Sequence, residues 1–254
     1  HEGQLMLLRG EFEVAEKIFS VLSYENLNNE QLYIAQGMCV LRIPSIPGKV
    51  DRTAKDFEMI RRAGFAQHLV SQLNKSDGQI EYQRLADEYG KIPGVQYAYG
   101  RFLLYSMQND DVAAEAFKKE IDNSPNHALA RLQIAYIKLK NKEPQGGIKL
   151  AEEASRLNPR LALAHFILGR CYLDSGDASK SIPELELTRK LAPDEAKVYF
   201  ALARAYAKVG RKADADIARQ TFAKLNAAQE AGGTGKADAI EDPDGAGITD
   251  NSDF

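Results

Sequence analysis

The chain has 254 residues, 44% hydrophobic and 27% charged, with a formal net charge of −3. That near-balance excludes the basic excess a phosphate-binding surface needs, so nucleic acid is not an expected partner. No apolar run reaches the roughly 18 residues that cross a bilayer, so a soluble protein without a membrane span is expected.

The sequence opens on His1 instead of Met, which points to a removed N-terminal piece and hides any signal peptide. Gly10, Ala15 and Phe19 read as the end of a helix pair, and Gly37 continues the same beat. The beat then slips at Ile43-Pro44-Ser45-Ile46-Pro47-Gly48, a lengthened turn. Helices are predicted over 51–63, 66–73 and 79–91. Residues 1–93 are read as degenerate, truncated helical repeats that continue one solenoid, with a separate helical domain as the alternative.

From 94 to 226 the order is plain. Pro125, Pro159 and Pro193 stand 34 residues apart. Leu168-Gly169-x-x-Tyr172 returns as Leu202-Ala203-x-x-Tyr206, followed by Gly176-Asp177 and Gly210-Arg211. Apolar residues such as Leu163, Phe166, Ile167 and Leu173 keep helical spacing on more than one face, which suits a helix packed on two sides. Ser175-Gly176-Asp177 breaks that helix, and Ala192-Pro193 stops the next one. A pair of helices of this size cannot bury its apolar surface alone, so pairs must stack on neighbours. Cys39 and Cys171 lie several repeats apart, beyond the roughly 7 Å reach of a disulfide, and are expected to be buried free thiols.

On these residues the sequence resembles the tetratricopeptide repeat family. Gly100, Ala113, Phe117 and Pro125 mark one unit, and Ile134, Ala135, Gly147, Ala151, Ala154 and Pro159 the next. Leu168, Gly169, Tyr172, Ser181, Leu185, Thr188 and Pro193 mark a third, and Leu202, Ala203, Tyr206 and Ala215 a fourth. The resemblance implies an all-α fold, a right-handed α-solenoid of antiparallel helix pairs with about six to seven repeats. In wording the chain is similar to bacterial, acidobacterial repeat proteins that are often exported to the periplasm or beyond. The resemblance further implies a concave groove lined by the first helix of each repeat. Its fifth positions are Tyr97, Leu132, Phe166 and Phe200, and its ninth are Arg101, Tyr136, Arg170 and Arg204, with Lys140, Lys197 and Lys208 adding charge. Such a face suits a protein segment with acidic and hydrophobic side chains. The same aromatics could instead close the core, with solvated arginines beside them. The Lys and Asn pair by which family members grip chaperone tails is absent from every repeat.

Residues 227–254 form a Gly-rich acidic tail without the apolar content to fold alone. Gly235-Lys236 is no phosphate loop, because Glu230 and Ala237 stand where Gly and Ser or Thr are needed. Asp242, Asp244, Asp250 and Asp253 have the spacing of a calcium loop, similar to thrombospondin type 3 and dockerin repeats, but Ala246 replaces one ligand. Two readings stand there, a weak calcium site and a solvated acidic linker. The tail is also expected to dock on the basic groove of its own or a neighbouring copy. His1, His68, His127 and His165 are scattered without metal spacing, so no catalytic residues and no cofactor are expected. The sequence reading is a non-enzymatic interaction scaffold; the alternative is a self-assembling subunit, a head-to-tail homo-oligomer or filament.

Overall fold

The computed structural model describes residues 1–25 and 29–231, and the backbone of 240–241 and 247–248. The described helices are α1 (Glu2–Arg9), α2 (Phe12–Glu25), α3 (Glu30–Val40), α4 (Phe57–Ser71), α5 (Lys75–Tyr89), α6 (Val95–Tyr105) and α7 (Asp110–Asn123). They continue as α8 (Ala128–Lys140), α9 (Pro144–Leu157), α10 (Ala162–Asp174), α11 (Ala178–Leu191), α12 (Ala196–Lys208) and α13 (Lys212–Ala231). The fold is all-α, a solenoid of helix pairs packed in chain order. Beyond it, β1 (Ile240–Glu241) and β2 (Gly247–Ile248) form an antiparallel ladder that pairs Ile240 with Ile248. The helices fall into two compact units, one over His1–Asn126 and one from His127 onward.

The regular repeats begin and end where local chemistry dictates. Asn109 and Asp177 cap α7 and α11 by accepting from backbone amides, and His127 does the same for α8 through Nδ1. Within each pair the chain reverses through a left-handed residue, Gln108, Lys142, Gly176 and Gly210, one every 34 positions. Glycine occupies only two of these four turns. The reversal is therefore set by the repeat's packing as much as by glycine's freedom at φ > 0.

In the first unit, the helices predicted over 51–63 and 66–73 are one helix, α4, running through Gly64. Gly64 does not break it, because its role is close approach. A Cβ there would lie 1.6 Å from the Tyr33 carbonyl oxygen on α3, and one on Gly37 would lie 1.9 Å from that of Ile60. The two glycines let α3 and α4 cross backbone to backbone. The helix predicted over 79–91 is α5, which starts earlier at Lys75 under an Asn74 cap. Gly3, 34 positions before Gly37, makes room for a side chain instead, since a Cβ there would lie 2.9 Å from the Phe19 ring of α2.

The second unit repeats its polar ties as well as its core. Tyr172 donates to Glu152 at 2.6 Å, and Tyr206 donates to Glu186, so each tyrosine reaches back to the preceding repeat. These carboxylates help hold both phenols up at about 12, through the hydrogen bond for Tyr172 and through burial and then the hydrogen bond for Tyr206. Cys171 packs against Gly147 of α9, where a Cβ would meet its Sγ at 2.9 Å. Both cysteines are buried free thiols, and burial pushes Cys171 up to about 12 and Cys39 up as well, away from reactive thiolate.

Candidate functional site

The fifth-position residues of the sequence reading divide. Tyr97, Leu132 and Phe166 are buried, while Phe200 is 37% exposed and leans on Phe222 with ring centroids 5.5 Å apart. For the first three, then, the core-closing reading describes their surroundings, since hydrophobic side chains on a helix packed on both sides have no open face left. Phe200 differs because α13 covers only part of it.

The ninth-position residues also differ from one another. In the second unit Asp174 serves two arginines, Arg170 Nη2 at 3.2 Å and Arg204 Nη2 at 3.0 Å. The Arg170 side chain is 3% exposed and that of Arg204 35%. Tyr136 is buried. Lys208 donates to the Leu173 carbonyl at 3.0 Å, and Lys197 lies 3.9 Å from Glu195. Lys197, Phe200, Arg204 and Lys208 follow one another at steps of three and four, so they share one face of α12. Lys140 sits in the last turn of α8.

In the first unit the ninth-position arginine is built into the protein. Arg101 on α6 meets Glu16 at 3.3 Å and Glu13 at 3.8 Å, both on α2, and Glu13 also pairs with Arg42. Gln67 of α4 donates to Glu16 at 3.0 Å and accepts from Tyr82 of α5 at 2.8 Å. Burial pushes the Glu16 carboxyl up against the pull of Arg101. At Glu13 burial is outweighed by Arg42 and Arg101, which hold its carboxyl low. The chemistry is that of a structural ion cluster: each charge faces a partner, and the adjoining cavity of about 60 Å³ is far below the ~300 Å³ of a small-molecule pocket. Nothing in the sequence announced these partners, since Glu13 and Glu16 stand outside the regular repeats.

His165 and His68 are bound into the packing. The His165 Nδ1 faces Glu184 at 2.7 Å and its Nε2 faces the Pro159 carbonyl at 3.0 Å, so both nitrogens meet acceptors. That arrangement favours imidazolium, and the hydrogen bond to Glu184 raises the ring's pKa against its burial. His68 is buried beside Ser23 and the Tyr33 ring, and burial lowers its pKa. Among the described residues no group of three or more His, Cys, Asp or Glu is placed to hold a metal. The candidate calcium ligands Asp242, Asp244, Asp250 and Asp253, and the docking expected of the tail, lie outside the described residues. Among the described residues, too, no helix is long and apolar enough to cross a membrane.

Comparison with known proteins agrees with this geometry. The tetratricopeptide repeat family profile matches residues 132–194. The chain is 27% identical over 116 residues to anaphase-promoting complex subunit 3 of Schizosaccharomyces pombe, a stretch covering 46% of this chain and 17% of that relative's length. Among solved structures, a MamA RS-1 ArsTM double mutant has a TM-score of 0.63 at 19% identity, covering 70% of this chain and 99% of the other. MamA 41-end from Desulfovibrio magneticus RS-1 has 0.58 at 21% identity, covering 70% and 98%. At those identities the likeness is one of fold. The stacked helix pairs and their 34-residue register are those of a helical-repeat solenoid, and over residues 132–194 the chain matches the tetratricopeptide repeat family.

Proposed function

We propose that the chain is a non-enzymatic scaffold that binds an acidic, partly hydrophobic protein segment on the face carrying Lys197, Phe200, Arg204 and Lys208. Repeat proteins of this fold suggest protein partners, and the observation that carries the finer reading is the half-open Phe200 between cations spaced along one helix face. An aromatic ring supplies contact area and the cations supply charge-assisted hydrogen bonds to carboxylates. Arg101 gives the precedent inside the molecule, since at the same repeat position it takes two carboxylates from one helix. The test is recovery of partners by the wild type and by Arg204→Glu with Lys208→Glu. Recovery should fall at least about tenfold, the worth of one or two charged hydrogen bonds. Equal recovery would remove the face from consideration.

Self-assembly is a second reading, favoured by the first helix pair. At the position of Leu5, the later repeats place Cys39, Phe102, Ile137, Cys171 and Ala205, all buried, whereas Leu5 is 45% exposed. Leu8, Val21, Leu22 and Tyr24 are exposed with it. The last helix α13 also exposes an apolar side chain, Ile217, beside the outward Arg219–Asp216 pair at 2.6 Å. Copies would meet through such exposed apolar faces, as a pair through two α1–α2 faces or head to tail as a filament. Light scattering across concentration tests this: mass should rise with concentration in the wild type, stopping at two chains for a pair and growing further for a filament, and stay at one chain in Leu5→Glu with Leu8→Glu.

A further inference from the structure

The cavity beside the Glu16–Arg101 pair mixes polar groups with carbon: Glu16, Arg101 and Ser106 line it together with Ala98 and Phe102. Both carboxylate contacts of Arg101 are made by Nη1, and among the described residues its Nε and Nη2 have no hydrogen-bond acceptor. The Ser106 hydroxyl makes no hydrogen bond among them either. Glu16 accepts from Gln67 and from Arg101, which leaves about two of a carboxylate's roughly four acceptor positions over. The Glu16 and Arg101 side chains are each 19% exposed, so the cavity is reached from solvent. Donors and an acceptor without protein partners therefore line one small space.

Size and charge narrow what that space suits. Its volume of about 60 Å³ has room for roughly four water-sized groups, which a side-chain tip of the form CH2–CO–NH2 fills with its heavy atoms. A carboxylate on the open edge of Arg101 would stand close to Glu16 and Glu13, and an ammonium would face Arg101 itself. A neutral group that both donates and accepts meets neither repulsion. Gln67 shows this chemistry within the same cluster, since its Nε2 donates to Glu16 at 3.0 Å and its Oε1 accepts from Tyr82 at 2.8 Å. We propose that the cavity is a site for one primary carboxamide, the tip of an Asn or Gln side chain or a free amide of that size. Its oxygen accepts from Arg101 and Ser106, its nitrogen donates to Glu16, and Ala98 and Phe102 pack on its carbon stem. The site belongs to the first unit and does not depend on the α12 partner face.

The probe is acetamide, titrated into the isotope-labelled full chain and followed by the Nε–H resonance of Arg101, which Arg101→Lys assigns by removing it. Saturation at a Kd of about 10 mM is expected, within reach of so few heavy atoms. Ser106→Ala should weaken binding about fivefold, the loss of one hydrogen bond. Ala98→Val adds carbon at a buried wall of the cavity and should weaken it at least about tenfold. Acetate and methylammonium should each bind at least about tenfold more weakly than acetamide. N-acetylglutamine methylamide separates the two sources: tighter binding than acetamide assigns the site to a protein side chain, and weaker binding assigns it to a free amide. Circular dichroism checks helix content, and if Ala98→Val loses it, Ser106→Ala decides. A linear shift that never saturates with acetamide means that water alone fills the cavity, and overturns the proposal. Acetate binding as tightly as acetamide, or acetamide binding unchanged in the folded variants, overturns it too.

Discussion

Glu16 of α2 and Arg101 of α6 meet at 3.3 Å across 85 positions of sequence, and Glu13 shares the same guanidinium at 3.8 Å. Removing the arginine leaves carboxylates in a buried site without their partner, the costly way to break an ion pair. Arg101→Met should destabilise the first unit by about 3–5 kcal/mol, read by urea unfolding. Adding Glu16→Gln should recover part of that loss. Arg101→Lys should fall between, since one ammonium cannot reproduce the guanidinium fork.

Gly64→Ala should be among the most damaging single methyl additions. Its Cβ would sit 1.6 Å from the Tyr33 carbonyl, and two helix backbones must part to admit it. A loss above about 3 kcal/mol is expected, beyond ordinary overpacking. Gly176→Ala is the control, because nothing lies within 4 Å of that Cβ and only the left-handed backbone at φ 94° opposes it. It should cost about 1 kcal/mol.

The converse change should stabilise. Lys142 occupies, at φ 60°, the left-handed turn position that Gly176 and Gly210 fill in the next repeats. Lys142→Gly relieves about 1 kcal/mol of strain and returns part of it as chain entropy. A net gain of about 0.5 kcal/mol, seen as a rise in Tm, is expected.

His165 predicts a pH dependence with a definite sign. Its hydrogen bond to Glu184 raises its folded pKa above the unfolded value of about 6.5, against the effect of burial. A group raised in this way contributes fully below the unfolded value, and its contribution is lost as pH rises through the folded one. The wild type should therefore lose Tm relative to His165→Gln on going from acid to mildly alkaline solution. Parallel Tm curves for the two proteins would show that the ring does not titrate in that window.

Some of this was legible in the sequence, and the reasons are specific. The prolines at 125, 159 and 193 located the helix pairs from 94 onward because each ends a helix of the same length. Gly64 misled, since a glycine that admits a neighbouring backbone reads the same in one dimension as a glycine that ends a helix. Gly3 carried the beat back to the first helix, and counting 34 down from Gly37 would have found it. The pairing of Arg101 had no periodic signature, because its partners lie on a helix far away in the chain. Burial of Tyr97, Leu132 and Phe166 was equally hidden: repeat position tells which way a side chain points, and the amount of protein covering it is a property of the packed unit.

The same Glu16–Arg101 tie bears on how the chain acquires its structure. In the second unit the described polar ties join neighbouring repeats, such as Tyr172 to Glu152, so order can spread from one repeat to the next as synthesis proceeds. The first unit has less of that freedom, because Arg42 serves Glu13 early but Glu16 of α2 does not meet its arginine until α6 has emerged. The Glu16–Arg101 tie closes a loop of 85 positions against 20 for Tyr172–Glu152, so the first unit's folding should be the slower and more all-or-none of the two.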